Sequence, residues 1–370
     1  MLYLAIDQHS KQLTVNLRDE QGDVVLRRQV STRWVSVEAF FKKLAEDTSR
    51  EGEFVAILEV CGFNDWLVRL LEDSGSGCRE VVLIQPERRG KRKTDRRDAN
   101  ELGEILWVNR QRLLAGKRVQ NVRRVIRPTE EEAEDRQLTA LRRRMIQRRT
   151  GVINKVWRII HKHNLQHDRP TKGMQTKRVR QWLATLDLAS IDRLEMDALL
   201  AEWSLLEEHL QEVDDQIDRR HRQNDKAILV SSMPGLSRYG SLAVASRVPR
   251  IECFPRAASL ANFLGLAPGC RNSGNTTDRT GSITKQGSSM VRFILGQAVL
   301  HVLREDPWMR RWYREVKRRR GSKVARVAVM RRLATILWYM LKYNVPYVRG
   351  GPEEYRRVRE RMETLSAGTG

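Results

Sequence analysis

The chain has 370 residues, too many for one comfortable core and enough for two or three folding units. Lys and Arg total 69 against 46 Asp and Glu, and this +23 excess runs along the whole length, which predicts a polyanionic partner, nucleic acid before a membrane surface. Nothing approaches the roughly 18 consecutive apolar residues of a spanning helix, Met1 to Asp7 lacks a basic leader, and Cys61, Cys78, Cys253 and Cys270 show no CxxC spacing or neighbouring His; a membrane span, a disulfide framework and a zinc ligand set are excluded, and a cytoplasmic, nucleoid-associated protein with reduced thiols is expected.

In chain order, β-rich runs fall at Leu2 to Asp7, Gln12 to Leu17, Val24 to Arg27, Phe54 to Glu59 and Val81 to Ile84. Two helices fit among them, Val35 to Ala45 with Phe40, Phe41 and Leu44 on one face, and a second opening at Asn64 as N-cap and carrying Trp66, Leu67, Leu70 and Leu71. Three strands followed by alternating helices and strands predict an α/β layer domain over residues 1–115, an order that permits an RNase H-like sheet. From Pro128 to Asp225 the pattern turns helical. Leu199, Trp203, Leu206, Leu210, Val213 and Ile217 step by four, three, four, three and four, the seam of a coiled coil, so residues 116–225 are expected to form a helical middle in which this seam pairs with a helix near Leu138 to Ile160 and contributes to self-association. His161 to Gly173 reads as the hairpin tip; His161, His163 and His167, with no carboxylate or Cys beside them, are read as solvent-facing or phosphate-contacting.

Residues 226–350 are richer in Gly, Ser and small residues and form the third expected domain, and 351–370 is expected to be a disordered tail. Ser232 to Gly240, with Gly235 at its centre, has the shape of a helix-hairpin-helix turn, whose backbone N–H groups suit a phosphate, although an ordinary interhelical turn has the same sequence shape. The basic runs from Arg310 to Arg332 alternate with Trp308, Trp312, Tyr313 and Trp338, which fits a helical hairpin with an aromatic core and a charged outer face. His301, inside the apolar helix Phe293 to Leu303, is expected to be packed; with no GxSxG elbow either, a Ser-His-Asp hydrolase is unsupported.

The chemistry rests on carboxylates. Asp7 ends the first strand and Glu59 the fourth, where an open α/β sheet gathers its active site. Asp95 and Asp98, in Lys93-Thr94-Asp95-Arg96-Arg97-Asp98-Ala99, stand at i and i+3 at a helix start and share a face. Each alone is better explained by capping, ion pairing or strand-end solvation. Together, four acidic groups need cations, and oxygen-only ligands suit Mg²⁺, with Mn²⁺ as a substitute; two such ions roughly 4 Å apart serve phosphoryl transfer. Ala5-Ile6-Asp7, Leu58-Glu59 and Lys93 to Ala99 resemble the DEDD motif of the insertion-sequence-110 transposases, related to the Piv-type invertases, whose N-terminal domain is similar to the RuvC resolvase. The resemblance implies that Asp7, Glu59, Asp95 and Asp98 are the metal ligands. Gln8-His9 and Val60-Cys61-Gly62 depart from residues common in the family beside these carboxylates.

Phe263 to Pro268, Arg271-Asn272-Ser273-Gly274-Asn275, Gly281 to Gly287 and Val291-Arg292 resemble the second signature of that family, a mostly helical transposase domain in which a serine before a glycine is the proposed nucleophile; matched by position, it is Ser273. A serine hydroxyl needs a base, a metal or strong electrostatic help, and no His lies nearby in sequence. The resemblance implies a DNA transposase-recombinase that cuts and rejoins donor and target DNA through a phosphoserine intermediate, guided by a structured bridge RNA, as a homo-oligomer (dimer or tetramer) with an active site shared between protomers. Two other readings stay open: a RuvC-like nuclease that hydrolyses with water and has no need of Ser273, and a non-catalytic nucleic-acid scaffold that needs none of the five residues.

Overall fold

The computed structural model describes residues 1–51, 53–86, 95–117, 119, 122–270 and 280–367. The chain divides into two compact units, Met1–Arg127 and Pro128–Gly370.

The first unit is built on a six-stranded sheet. Strands β1 (Leu2–Gln8), β2 (Gln12–Arg18) and β3 (Val24–Ser31) form an antiparallel meander. Helix α1 (Trp34–Glu51) leads to β4 (Phe54–Glu59), helix α2 (Asp65–Glu72) to β5 (Cys78–Pro86), and helix α3 (Asp95–Leu114) to the short β6 (Val122–Arg124). The strand order is β3-β2-β1-β4-β5-β6, with β4 and β5 parallel to β1 and β6 antiparallel to β5, consistent with an RNase H-like sheet. Strand alternation divides the side chains between two layers. Leu2, Leu4, Ile6, Leu13, Val15 and Leu17 pack against Phe40, Phe41 and Leu44 of α1 and Leu67 and Leu71 of α2. Tyr3, Ala5, Val55, Ile57, Val82 and Ile84 pack against Leu102, Leu106 and Leu113 of α3. Strand β6 has no counterpart among the runs read from sequence; three residues carry too little pattern to announce a strand.

Among the described residues, the second unit is helical apart from its loops and one short hairpin. Helices α4 (Glu130–Lys162), α5 (Lys177–Thr185) and α6 (Ser190–Arg222) come first, then α7 (Asp225–Ser231), α8 (Arg238–Ala245), α9 (Ala257–Phe263), the paired β7 (Pro268–Cys270) and β8 (Thr280–Ile283), α10 (Ser289–Glu305), α11 (Pro307–Tyr343) and α12 (Pro352–Ala367). Thr129 caps α4 by accepting from the Glu132 N–H, and three glutamates fill its positive first turn. Ion pairs between α4 and α6 run in opposite directions, Asp135 to Arg220, Arg148 to Glu202 and Lys162 to Asp192, so the two helices are an antiparallel pair. The expected seam residues Leu199, Trp203, Leu206, Leu210, Val213 and Ile217 are all buried. The connection between the two long helices is more than a bare turn: α5 inserts Val179 and Leu183 against Val156, Ile160 and Trp203.

Helix α11 breaks at Gly321, whose φ of 80° and ψ of 166° end one arm and begin the next. The Arg332 guanidinium lies 4.9 Å from the Trp308 ring and 4.0 Å from Trp312, which folds the second arm back along the first as the expected helical hairpin. Three expectations change. The charged tail continues as α12, anchored by Tyr355, which is buried, donates to the Pro346 carbonyl and accepts from the Val348 N–H. His301 is exposed, packing only one side of its ring region against Gly235. His163 does have a carboxylate partner, Asp192 at 2.8 Å, supplied by α6 from 29 residues away, whereas His161 is exposed as expected and stacks on Trp157. Among the described residues, no helix is long and apolar enough to cross a membrane, and Cys61, Cys78 and Cys253 are free thiols.

Candidate active site

The sheet register brings Asp7 and Glu59 to one place. Parallel pairing of β1 with β4 sets Ile6 opposite Leu58, so the next residues on the two strands, Asp7 and Glu59, are neighbours at the carboxyl edge. Both continue the face that carries Tyr3 and Ala5 on β1 and Val55 and Ile57 on β4, and α3 covers that face. In α3, Ala99 and Leu102 are buried against the sheet, and Asp98 stands one turn before Leu102 on the same side. Asp95 is the first residue of α3, one turn before Asp98 in the helix register; its side chain lies outside the described residues. Asp7, with only 13% of its side chain exposed, has its Oδ2 3.0 Å from His9 Nε2 and accepts from that nitrogen when the imidazole carries its proton there. The loop after Glu59 is tied down at three points: the Val60 N–H donates to the Ile84 carbonyl, the Asn64 amide to the Glu59 carbonyl and the Gln8 amide to the Phe63 carbonyl. Asn64 does sit at the N-cap of α2, but its side chain fixes the strand end instead of capping the helix.

Among the described residues no three His, Cys, Asp or Glu side chains already converge as a ligand set. The donors that the register places at this edge are the carboxylate oxygens of Asp7 and Glu59 on two adjacent strands, an oxygen-only pair that fits a hard divalent cation and not zinc; Asp98 of α3 does not close with them into a ligand set.

One polar layer escaped the sequence reading. Thr14, Asn16 and Arg18 of β2 are 5%, 2% and 7% exposed and lie on the α3 face beside Asp7, since Asp7 pairs with Thr14 and Ala5 with Asn16. Their alternation with Leu13, Val15 and Leu17 was visible; that both faces of β2 would be covered was not.

In the second unit Ser273 lies outside the described residues, but the stem that carries its segment does not. Strands β7 and β8 flank it, and two glycines close the base. Gly265 has φ +70° and its missing Cβ would stand 2.0 Å from the Gln286 carbonyl oxygen; Gly287 has φ +86° and would stand 2.1 Å from that of Phe263. The Arg292 guanidinium donates to the carbonyls of Leu264, Gln286 and Gly287 at 3.1 to 3.2 Å, clamping both sides of the stem. Helices α7 and α8 are joined by a tight turn, a shape that both the helix-hairpin-helix reading and an ordinary interhelical turn allow, with Gly235 at φ +84° held against His301 and Ser237 capping α8 through the Gly240 N–H.

Residues 4–164 match the family model of IS110-type DEDD transposases, and residues 227–314 match the transposase IS116/IS110/IS902 family. Carboxylates on a mixed sheet, followed by a helical unit with the second signature, make the chain a DNA transposase of the DEDD class, a class that works with divalent metal ions on DNA. It belongs to the IS110 family. The chain is 26% identical to the transposase for insertion sequence element IS1111A of Coxiella burnetii, over 89% of this chain and 86% of that one. It is 24% identical to a probable family 20 transposase of Pseudomonas aeruginosa, over 93% and 98%, and 24% identical to a putative transposase, y4pF/y4sB, of Sinorhizobium fredii, over 87% and 79%.

Proposed function

We propose that the chain cuts and rejoins DNA with Asp7, Glu59, Asp95 and Asp98 holding Mg²⁺, or Mn²⁺ in its place, and with Ser273 as nucleophile. The observation that carries this reading is the adjacency of Asp7 and Glu59 on parallel strands, on the sheet face that α3 covers. Bound there, divalent cations would supply charge neutralisation at the phosphate and at the oxygens that enter and leave it. Ser273 forms an Oγ–P bond while the phosphodiester P–O bond breaks; the serine proton leaves and the departing DNA oxygen gains one. Attack by a second DNA hydroxyl then reforms a phosphodiester and restores the serine, so the energy of the broken bond is kept, which hydrolysis does not do. The domain plan read from sequence, with a RuvC-like first part, a coiled-coil middle and a transposase part, belongs to the same proposal. So do donor and target DNA as substrates, a bridge RNA as guide and a homo-oligomer as the working form; the +23 charge supports a large polyanionic partner.

The test is strand cleavage in Mg²⁺ followed by denaturation and mapping of DNA-linked peptides. Asp7→Asn, Glu59→Gln, Asp95→Asn and Asp98→Asn should each lower cleavage by at least a hundredfold while binding persists, and Ser273→Ala should remove the adduct and the joining. Cleavage without an adduct would favour the water-using nuclease; near-normal cleavage by any two carboxylate variants would remove the metal assignment. Sequencing of copurifying nucleic acid tests the guide: full recombination after ribonuclease treatment, with no discrete RNA recovered, would dismiss it.

A further inference from the structure

Beside the carboxylates, on the side of β1 away from β4, a hollow of about 690 Å³ opens between β2, β3 and the start of α3, lined by Thr14, Asn16, Arg27, Gln29, Asn100 and the rim residue Glu101. The register puts it in line with the active edge: Asp7 pairs with Thr14, and Thr14 with Gln29; one row inward Ala5 pairs with Asn16, and Asn16 with Arg27. We propose that this hollow binds a backbone phosphate of the DNA strand being cut, next to the phosphate that reacts; the inference rests on the carboxylate reading above.

Two observations point to an anionic oxygen ligand. The Thr14 hydroxyl is buried with no hydrogen-bond partner among the described residues, an arrangement that costs stability unless something enters to meet it. Across the hollow, the single Asn100 Oδ1 faces three donors, the Arg18 guanidinium at 3.2 Å and the Asn16 amide and Arg27 guanidinium at 3.4 Å each. A neutral amide oxygen has two lone pairs, so three donors, two of them cationic, are held at long distances and poorly satisfied. A phosphodiester oxygen offers full charge to the same donors and a further acceptor to Thr14. Arg18 is already committed to Glu104 and the Gly22 carbonyl, which leaves exposed Arg27, with exposed Arg28 beside it in the lining, as a cation able to turn toward a ligand. Strands are spaced about 4.8 Å, so β3 lies roughly 10 Å from β1. That spacing suits a neighbouring phosphate of the same strand and not the reacting one.

The experiment uses the full chain, a fluorescein-labelled DNA strand and an RNA strand of the same sequence, with affinity read by anisotropy over a salt series in chelator. Arg27→Gln should weaken DNA binding about tenfold and reduce the slope of log K against log salt by about 0.7, the loss of one single-strand phosphate contact. Thr14→Val should weaken DNA binding several-fold with an unchanged or higher melting midpoint, because no bond inside the protein is lost; Thr14→Ser, which keeps the hydroxyl, should bind as the parent does. Lys43→Gln, which removes the same charge from the outer face of α1, should leave affinity and slope unchanged. Parental affinity in both Arg27→Gln and Thr14→Val, an equal loss in Lys43→Gln, or a loss confined to the RNA strand would each overturn the proposal. Mg²⁺-dependent cleavage by the parent, run in parallel, tests the carboxylate reading separately, so either can fail while the other stands.

Discussion

At the scale of single residues, partners from distant segments decide what a charged group does. Asp192, at the start of α6, meets Lys162 and His163 at the end of α4, each at 2.8 Å. The Lys162 ammonium first, and the His163 ring after it, hold the Asp192 carboxyl below its ordinary range. A carboxyl whose pKa is depressed by folding contributes stability above its unfolded value, near 3.9, and loses it as pH falls through the folded value. Asp192→Asn should therefore lower the urea midpoint at pH 7 and leave it unchanged near pH 2. An equal deficit at both pH values would show that shape, and not charge, is what Asp192 contributes. None of this was legible in the spacing of His161, His163 and His167, because the partner lies on another helix. The positions of Asp7, Glu59 and Asp98 at two strand ends and a helix start were legible, since these are local patterns. Thr14 was not: an alternating strand announces one buried face, and only the packing of α3 shows that the polar face is buried too.

At the scale of elements, periodicity read well wherever a whole face repeats, as in β1, β4 and the six seam residues of α6, and poorly where tertiary contact alone makes the element. Helix α12 is such a case, because one buried Tyr355 among charged neighbours gives no period. The β7–β8 stem is another: its strands are three and four residues long, and the close approach served by Gly265 and Gly287 is made only by tertiary contact. At Gly287 a methyl group would meet the Phe263 carbonyl oxygen at a positive φ, so two penalties coincide. Gly287→Ala should destabilise the second unit by about 2 kcal/mol or more, and it should abolish joining even at temperatures where the protein stays folded. Arg292→Ala, which keeps the glycines but removes the clamp on three carbonyls, should reduce joining while DNA affinity changes little. Parental joining in both variants would mean that the stem does not position the Ser273 segment.

At the scale of the whole molecule, the open matter is what the coiled coil does once its seam is spent. Leu199, Trp203, Leu206, Leu210, Val213 and Ile217 are buried within one chain, so the seam expected to contribute to self-association is already used by α4, α5 and α8. Charged substitutions at Leu206 and Val213 would melt the pair and report nothing about assembly. Helix α6 carries a second stripe, however: Ile191, Leu194, Ala198, Ala201 and Leu205 step by three, four, three and four on its exposed side. Ile191 is 73%, Leu194 67% and Leu205 52% exposed, a spacing and exposure that solvent does not explain and that a second helix with the same stripe would cover. The stripe stops at Glu208, so the matching surface is short and lies toward the α5 end of the helix pair, and a pairing of two copies there would be isologous. Leu194→Glu combined with Leu205→Glu should therefore lower the mass measured by light scattering without loss of helical circular dichroism, whereas Leu206→Glu should lose helicity. If the double variant keeps the parental mass, the outer face of α6 is not the assembly surface, and the basic hairpin of α11 becomes the next element to test.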